Sequence, residues 1–285
     1  MPPRVRPTVR QVRVGTELRR LREAAGMTAR EVAQFLGSTS AQMSHIEAGI
    51  GGVSGERVRM LAAHYACTDT ELIDALVEMA TDRTRGWWED YRDVLPPVFC
   101  DLAELQDRAV SLQEIATAHV PGLLQTEEYS RAVFTYWRPE LPERDIELRV
   151  EHRLRRREVL GAVPYQAVLH EAVLRTRAAD RRIARAQLDA VLELSDKPGV
   201  TVRVIPFDVD GFAGASAELL YMGGRVTALD TGQRDTAHDT AFVDAPAQLL
   251  AMRTLFRKVE AVALDPSRSR SYLHRIAPSA SARDH

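Results

Sequence analysis

The 285-residue sequence has no long hydrophobic run and only two cysteines, Cys67 and Cys100. A membrane-spanning helix needs roughly 18 to 20 consecutive apolar residues, and no segment approaches that length. Two isolated cysteines are too few for a disulfide framework or a cysteine-based zinc site, so both thiols are expected to be buried. The N-terminal segment is basic but lacks the apolar core of a secretion signal. We therefore expect a cytoplasmic protein that does not contact a membrane.

Lysine is also scarce, because only two of the 38 basic residues are lysines and the rest are arginines. Arginine codons are mostly GC-rich and lysine codons are AT-rich, so this ratio predicts a GC-rich source genome. The net charge of -2 conceals an asymmetry: residues 1–66 contain ten arginines and five glutamates, which gives +5 and leaves -7 for the remainder. The basic N-terminal part is the part expected to meet phosphate groups.

Catalytic and metal-binding patterns are missing as well. His170-Glu171 begins like the helix of a zinc protease, but Leu174 occupies the position of the second histidine. Residues 208–211 resemble the start of a calcium loop, but the glycine comes two positions too early. Neither a GxSxG motif nor a phosphate-binding loop ending in Lys-Ser or Lys-Thr occurs. We therefore expect no enzyme activity, no metal site and no cofactor.

A pair of short helices is predicted between residues 28 and 49. Thr28 and Thr39 are each followed three residues later by Glu or Gln, which is the capping box that begins a helix. Gly37 lies between the two boxes and suits a tight turn, and Ala33 is small enough for a second helix to pass close by. This arrangement is typical of a helix-turn-helix motif.

The second helix of this pair, about Ser40 to Ala48, is predicted to be amphipathic. Met43 and Ile46 have the spacing of a buried face. The outward positions are Ser40, Gln42, Ser44 and His45. A short helix with an apolar back and small polar residues in front can lie in the major groove of DNA.

Three further helices complete a predicted all-helical domain over residues 14–80. The first runs from about Gly15 to Ala25, another begins at Ser54, and the last begins at a capping box formed by Thr68 and Glu71. Residues 1–13 contain four arginines and three prolines. They predict a mobile basic arm, which either follows the DNA or only adds charge.

These residues resemble the Xre family of helix-turn-helix regulators, the lambda repressor and Cro type. The matching segments are LRRLREAAGMT at 18–28, Ala33, Leu36-Gly37 and MSHIEAG at 43–49. The resemblance implies a five-helix, lambda-repressor-like domain that binds double-stranded DNA as a homodimer. It also implies a regulator of transcription.

The resemblance assigns the DNA contacts to particular residues. The base-reading positions of the family fall on Ser40, Ala41 and His45, with Gln42 and Ser44 beside them. Because serine is short and alanine offers only a methyl contact, Gln42 and His45 are expected to carry most of the direct readout. Contacts to the DNA backbone are expected from Arg19, Thr28, Arg30, Thr39, Gly51 and Gly52. Base contact by His45 and phosphate contact by the same side chain remain alternatives.

Beyond a polar linker at residues 81–86, the chain changes character, and three aromatic residues occur within five positions. From there it resembles the C-terminal domain of a group of actinobacterial Xre regulators. The matching segments are GWWEDYRDVLPP at 86–97, VPGLLQTEEYSRAV at 120–133, RRREVL at 155–160, HEAVLR at 170–175 and KPGVTVRVIPF at 197–207. That group is described as antitoxin-like, and its genes often lie beside a gene for a small partner protein.

The resemblance implies that residues 81–278 form a regulatory domain that binds the small protein encoded by the adjacent gene. The alternative is a one-component regulator whose C-terminal domain binds a small-molecule effector. Trp87, Trp88 and Tyr91 are then candidates for lining a pocket, because pockets are largely apolar and aromatic. Packing of the linker is the other role open to these aromatic side chains.

The fold class predicted for the whole chain is mainly α, with a smaller α+β part in the C-terminal domain. Strands are expected at Val200–Phe207, at Ala217–Met222 and Arg225–Leu229 around a Gly223-Gly224 turn, and at Ala241–Val243. Helices are expected at about 126–136, 143–160, 180–195 and 246–263. Residues 279–285 are predicted to be a disordered tail.

Overall fold

The computed structural model describes residues 6–210, 212–214, 218–235 and 240–276, and the chain divides into two compact units. The N-terminal unit consists of Met1–Glu89 together with Arg225–Leu229, and the C-terminal unit consists of Asp90–Gly224 and Asp230–His285. The N-terminal unit thus includes a pentapeptide that the sequence analysis assigned to the C-terminal domain. None of the helices in the described ranges combines the length and the apolar character needed to cross a bilayer.

The described part of the N-terminal unit contains five α-helices. They are α1 (Val9–Ala24), α2 (Ala29–Phe35), α3 (Ser40–Glu47), α4 (Gly55–His64) and α5 (Thr70–Thr81). Their apolar sides meet in one core, which includes the fully buried side chains of Leu18, Val32, Met43, Val58, Leu61 and Leu76. Burying a side chain of this size contributes roughly 1.5–3 kcal/mol, so packing rather than helix propensity holds these short helices.

Two predicted helix starts in this unit are wrong. Helix α1 begins at Val9, well before Gly15, because Thr8 and Gln11 form a capping box. The basic arm predicted over residues 1–13 is therefore wrong for residues 9–13, and residues 1–5 lie outside the described ranges. Helix α5 is capped by Asp69, whose carboxylate accepts a hydrogen bond from the Leu72 N–H at 2.9 Å, rather than by a box starting at Thr68.

The described part of the C-terminal unit contains a six-stranded mixed sheet. Its strands are β1 (Ser111–Ala116), β2 (Tyr165–His170), β3 (Val200–Ile205), β4 (Leu219–Gly223), β5 (Thr231–Asp235) and β6 (Thr240–Val243). The spatial order is β3-β2-β1-β4-β5-β6. Strands β1, β2 and β3 are parallel, whereas β4, β5 and β6 are joined by antiparallel pairings.

Helices cover both faces of this sheet. They are α6 (Pro97–Asp107), α7 (Glu127–Trp137), α8 (Glu143–Arg156), α9 (Glu171–Arg175), α10 (Arg181–Leu194), α11 (Pro246–Val262) and α12 (Pro266–Ile276). Successive side chains of a strand point to opposite faces, and β4 shows the consequence. Leu220 and Met222 join the core that includes residues of α7 and α10, whereas Leu219 and Tyr221 join the core that includes Phe256 of α11.

The structure confirms the predicted fold class, namely a helical N-terminal part followed by a mixed α+β part. Helices α7, α8, α10 and α11 and strands β3 and β6 lie close to their predicted positions. Strands β1, β2 and β5 and helices α6, α9 and α12 were not predicted. The predicted tail at 279–285 lies outside the described ranges.

The predicted second strand of the hairpin is wrong, because Arg225–Leu229 is not a strand. Strand β4 pairs with β5, which begins only at Thr231. Between them the Gly224 N–H donates a hydrogen bond to the Asp230 carboxylate at 2.8 Å, which closes a loop instead of a two-residue turn. The five residues inside this loop belong to the N-terminal unit.

His152 on α8 is a buried histidine in the C-terminal unit. Its ring lies edge-on to Tyr91, at 5.1 Å between ring centres, and to Phe99, at 5.6 Å. Burial, reinforced by the positive charges of neighbouring arginines on α8, lowers the pKa of this imidazole to about 3. The side chain is therefore neutral in the folded protein at physiological pH.

We expect His152 to make the C-terminal unit sensitive to acid. Its pKa is lowered from 6.5 to about 3 on folding, so the unfolded chain takes up the proton first as the pH falls. The contribution of the neutral His152 to the free energy of unfolding is fully present above pH 6.5. It is lost as the pH falls from 6.5 to 3, at roughly 1.4 kcal/mol per pH unit. His152→Phe, which keeps an aromatic ring without a titrating nitrogen, should flatten the pH dependence of the urea-unfolding free energy in this range. His274→Gln, at an exposed position, is the control, and an unchanged slope in His152→Phe would contradict the assignment.

Candidate nucleic-acid interface

Helix α3 has one buried side and one exposed polar side, as predicted. Met43 and Ile46 are buried in the core of the N-terminal unit. The exposed side carries every residue proposed for base contact, namely Ser40, Ala41, Gln42, Ser44 and His45. The structure therefore brings these five residues together on one accessible surface, and their contact with DNA bases stays a prediction.

The two predicted capping boxes, which begin α2 and α3, are both formed. The Glu31 N–H donates to the Thr28 hydroxyl at 3.3 Å, and the Thr28 N–H donates to the Glu31 carboxylate at 2.7 Å. These hydrogen bonds from Thr28 lower the pKa of Glu31. At α3 the Gln42 N–H donates to the Thr39 hydroxyl at 3.2 Å, and the Thr39 N–H donates to Gln42 Oε1 at 3.3 Å.

The capping box restricts what Gln42 can offer to DNA. Its side-chain oxygen accepts the Thr39 N–H, whereas the side-chain NH2 group is the donor half of the amide. Bidentate recognition of adenine uses the oxygen and the nitrogen of an amide together. While the cap is kept, Gln42 is therefore suited to donate to acceptors such as guanine N7 and O6 or thymine O4.

The position of α3 depends on close approach of its C-terminal end to α1. A Cβ atom on Gly15 would lie 2.5 Å from the carbonyl oxygens of Ile46 and Glu47, which is too close for any side chain. Gly49, just after α3, has a φ of +71°, and a Cβ there would lie 2.6 Å from the Val12 nitrogen. The two backbones thus touch at two glycines, which fixes the exposed side of α3 relative to α1.

A buried ion pair joins the same two helices. The Arg22 guanidinium holds both carboxylate oxygens of Glu47, with Nε to Oε1 at 2.6 Å and Nη2 to Oε2 at 3.0 Å. Arg22 also donates to the Met27 carbonyl at 2.7 Å, in the turn before α2. The hydrogen bond to Glu47 raises the pKa of Arg22. One side chain therefore connects α1, the start of α2 and the end of α3.

Sequence reasoning missed both Gly15 and Arg22 as residues that position α3. For Gly15 a signal existed, because a glycine inside a helical pattern marks close approach of another backbone; the late predicted start of α1 concealed it. For Arg22 the sequence offered none, since its partner Glu47 lies 25 residues away.

The residues proposed for contact with the DNA backbone differ in their surroundings. Arg30, Thr28, Thr39 and Gly52 are exposed. Arg19 is also exposed but forms an ion pair with Glu23 at 2.7 Å, so a phosphate must compete with that carboxylate. The Gly51 N–H donates to the His45 carbonyl at 3.0 Å, so a phosphate must compete with that carbonyl for this amide. The contact of Gly51 with the DNA backbone stays a prediction.

The candidate pocket aromatics are largely interior side chains. Trp88 and Tyr91 are buried, and the Tyr91 hydroxyl donates to the Glu151 carboxylate at 2.6 Å. Trp87 is partly exposed. This burial favours the packing role for Trp88 and Tyr91. Within the described ranges, His, Cys, Asp and Glu side chains form no group of three that could hold a metal ion.

Two known families match the chain. The helix-turn-helix domain family matches residues 13–76, and the family described as Domain of unknown function (DUF5753) matches residues 99–275, which is more than half of the chain. The chain belongs to the DUF5753 family. No curated protein and no solved structure matches it. The helix-turn-helix match supports the prediction of a DNA-binding regulator. The DUF5753 match covers most of the C-terminal unit and also includes Arg225–Leu229 of the N-terminal unit.

We expect Gly15→Ala to destabilise the N-terminal unit of this DUF5753 protein. Alanine raises helix propensity by up to about 1 kcal/mol, but its Cβ would collide with the backbone of α3, and overpacking costs roughly 1–3 kcal/mol. Urea unfolding should therefore show a net loss. Gly52→Ala, whose Cβ would meet no atom within 4 Å, is the matched control and should stay within about 0.5 kcal/mol of the unmodified protein. Equal stabilities of the two variants would show that α1 and α3 are not in such close contact.

Proposed function

We propose that this protein is a sequence-specific transcriptional regulator that binds double-stranded DNA as a homodimer, with α3 as its recognition helix. The observation that carries the proposal is the exposed polar side of α3, which is held in place by two backbone contacts and one ion pair to α1. This exposed polar side of α3 is called the reading surface below. It must be rigid to discriminate between bases, because each contact depends on hydrogen-bond geometry.

The homodimer follows from the size of the reading surface. Helix α3 is eight residues long and reaches only a few base edges. Each good bidentate contact is worth about 1–3 kcal/mol, whereas useful discrimination over bulk DNA needs about 4–10 kcal/mol. Two copies of α3 on two half-sites supply the difference. Half-sites one helical turn apart would match two-fold symmetry of the protein.

Within α3 we assign direct readout mainly to Gln42 and His45. Ser40 is short and accepts or donates without discrimination, and Ala41 can offer only a methyl contact. Where small residues face the groove, part of the specificity then comes from the shape and deformability of the DNA. The net positive charge of residues 1–66 supplies the part of the affinity that depends on phosphates and on salt.

For the DUF5753 part we propose binding of the small protein encoded by the adjacent gene. The antitoxin-like resemblance supports this, and so does one surface feature. Tyr136 and Trp137, at the end of α7, are 78% and 52% exposed, and their rings lie edge to face at 5.7 Å. Adjacent exposed aromatic side chains are typical of the centre of protein interfaces. A small-molecule effector remains the alternative occupant of the C-terminal unit.

Direct readout is tested on the DNA of the protein's own promoter. We expect His45→Ala and Gln42→Ala each to weaken binding to this DNA by about 1–3 kcal/mol, with little change on a random duplex of equal length. The physical reason is that a lost base contact affects only the cognate sequence, whereas phosphate contacts are common to all DNA. Fluorescence anisotropy at fixed salt measures both affinities.

His274→Ala, at an exposed position of α12, is the control for His45→Ala. Gln42→Ala also removes half of the capping box at Thr39. Loss of the cap lowers the melting temperature, whereas loss of a base contact alone does not, so thermal melting of Gln42→Ala separates the two effects. Equal weakening on cognate and random DNA by both α3 variants would show that direct readout by this pair is wrong.

Partner binding is tested by co-expression with the product of the adjacent gene. We expect a complex that survives co-purification, and we expect Tyr136→Ala with Trp137→Ala to weaken it by at least about 2 kcal/mol, as hot-spot aromatics do. Leu250→Ala, at a 57% exposed position of α11, is the control.

The absence of a complex at micromolar concentrations would contradict the proposal that the C-terminal unit binds the small protein. A rise in melting temperature with a metabolite would then favour the small-molecule alternative, because a ligand specific for the folded state stabilises it by mass action.

A further inference from the structure

The pentapeptide Arg225–Leu229, called the 225–229 segment below, is part of the N-terminal unit although it follows β4. The Leu229 side chain is only 8% exposed and belongs to the same core as Leu18 of α1 and Leu76 of α5. The Arg225 guanidinium forms an ion pair with Glu78 of α5 at 2.6 Å. The core that holds the apolar side of α3 therefore also includes Leu229, which is remote from α3 in the sequence.

The segment also contacts α1 through a buried arginine. Arg13 donates a hydrogen bond from Nη2 to the Ala228 carbonyl oxygen. The same side chain is 4% exposed and forms an ion pair with Glu17, one turn further along α1, at 3.1 Å. A buried guanidinium needs such partners, because a buried charge without them is strongly destabilising.

Arg13 lies two residues before Gly15, where the backbone of α1 touches the end of α3. A continuous series of contacts within the N-terminal unit thus runs from Ala228 and Leu229 to α1, and from α1 to Ile46 and Glu47. A displacement of α1 at Arg13 has to move or strain the contact at Gly15, because α1 is one uninterrupted helix.

The two residues that flank the segment, Gly224 and Asp230, belong to the C-terminal unit. Asp230 accepts hydrogen bonds from the Gly224 N–H at 2.8 Å and from the Tyr221 hydroxyl of β4. Its carboxylate also lies 3.6 Å from the Arg253 guanidinium of α11. The Asp230 carboxylate therefore closes the base of the loop, and residues of β4 and α11 are among its partners.

We propose that the 225–229 segment is a control element that couples the C-terminal unit to the recognition helix. With the segment seated, α1 is held in the position that places α3 for DNA. A change in β4, β5 or α11 that alters the base of the loop withdraws the segment and lowers DNA affinity. This inference rests on the proposed function, since it assigns a regulatory role to the support of the same reading surface.

The coupling must act in both directions. If a seated segment raises DNA affinity, bound DNA must favour the seated segment by the same factor, and such factors are typically about 5 to 150. A segment with a purely structural role would be equally seated with and without DNA. The response of the segment to DNA therefore distinguishes control from support.

The test begins with selection of duplexes by the full unmodified chain from a random-sequence library. Amide hydrogen exchange at Leu229, whose N–H donates to the Val226 carbonyl at 2.9 Å, is then measured with and without the selected duplex. We expect exchange to slow by at least about fivefold when the duplex is bound. A scrambled duplex at the same salt concentration is the control for general effects of DNA.

Variants of the segment give the reciprocal measurement. We expect Leu229→Ala and Arg13→Gln each to weaken binding to the selected duplex by about tenfold at a temperature where circular dichroism shows the chain still folded. Leu250→Ala is the matched leucine control and should bind as the unmodified chain does. The exchange measurement uses the unmodified chain and so decides the question even if a variant fails to fold.

The outcomes separate the two proposals. If no duplex is enriched, the proposed function is wrong and the control role falls with it. If a duplex is enriched but exchange at Leu229 is the same with and without it, the control role alone is wrong. Wild-type affinity of a folded Leu229→Ala chain would also overturn the control role while leaving sequence-specific binding intact.

Discussion

The contact between α1 and the end of α3 is the constraint on which the proposed reading surface depends. An isolated helix of eight residues is not stable in water, because nucleation is costly and few hydrogen bonds follow it. Helix α3 therefore takes its order from its surroundings: the capping box at Thr39, the apolar contacts of Met43 and Ile46, and the backbone contact at Gly15. The Arg22–Glu47 pair fixes the orientation of α3 relative to α1 more than it adds stability. A buried ion pair gains little net free energy, but its hydrogen bonds form in only one geometry.

The C-terminal unit meets a different requirement, because a sheet must cover its faces and protect its edges. Helices α7 and α10 contribute to the core on one face, and α11 contributes to the core on the other. At the edge strand β3, the Val204 N–H donates to the Ser269 hydroxyl at 2.9 Å, and the Leu264 N–H donates to the Val204 carbonyl at 2.9 Å. The chain leading into α12 thus occupies the place of a further strand, which blocks pairing with another chain at that point.

The loop between β4 and β5 shows how one short segment can serve two folding units. A two-residue turn would have been sufficient to connect the antiparallel strands, and the chain instead inserts five residues that place Leu229 in the N-terminal core. The base of the loop is held by the carboxylate of Asp230, while its far side is held by Arg13 and the helical core. The local pattern of Gly223-Gly224 predicts a hairpin turn, whereas the loop is determined by the packing of Leu229 with residues remote in the sequence.

Local features of the sequence determined helices α2 and α3 and the polar side of α3. These features are the capping boxes at Thr28 and Thr39 and the three-residue spacing of Met43 and Ile46. Each acts within one or two helical turns, so it can be recognised from the sequence alone. Tertiary structure alone decided the Arg22–Glu47 pair, the seating of Leu229, and strands β1 and β2, whose short sequences carry no clear alternation. These features bring together residues that are remote in the chain, and their free energy comes from partners that a local pattern does not contain.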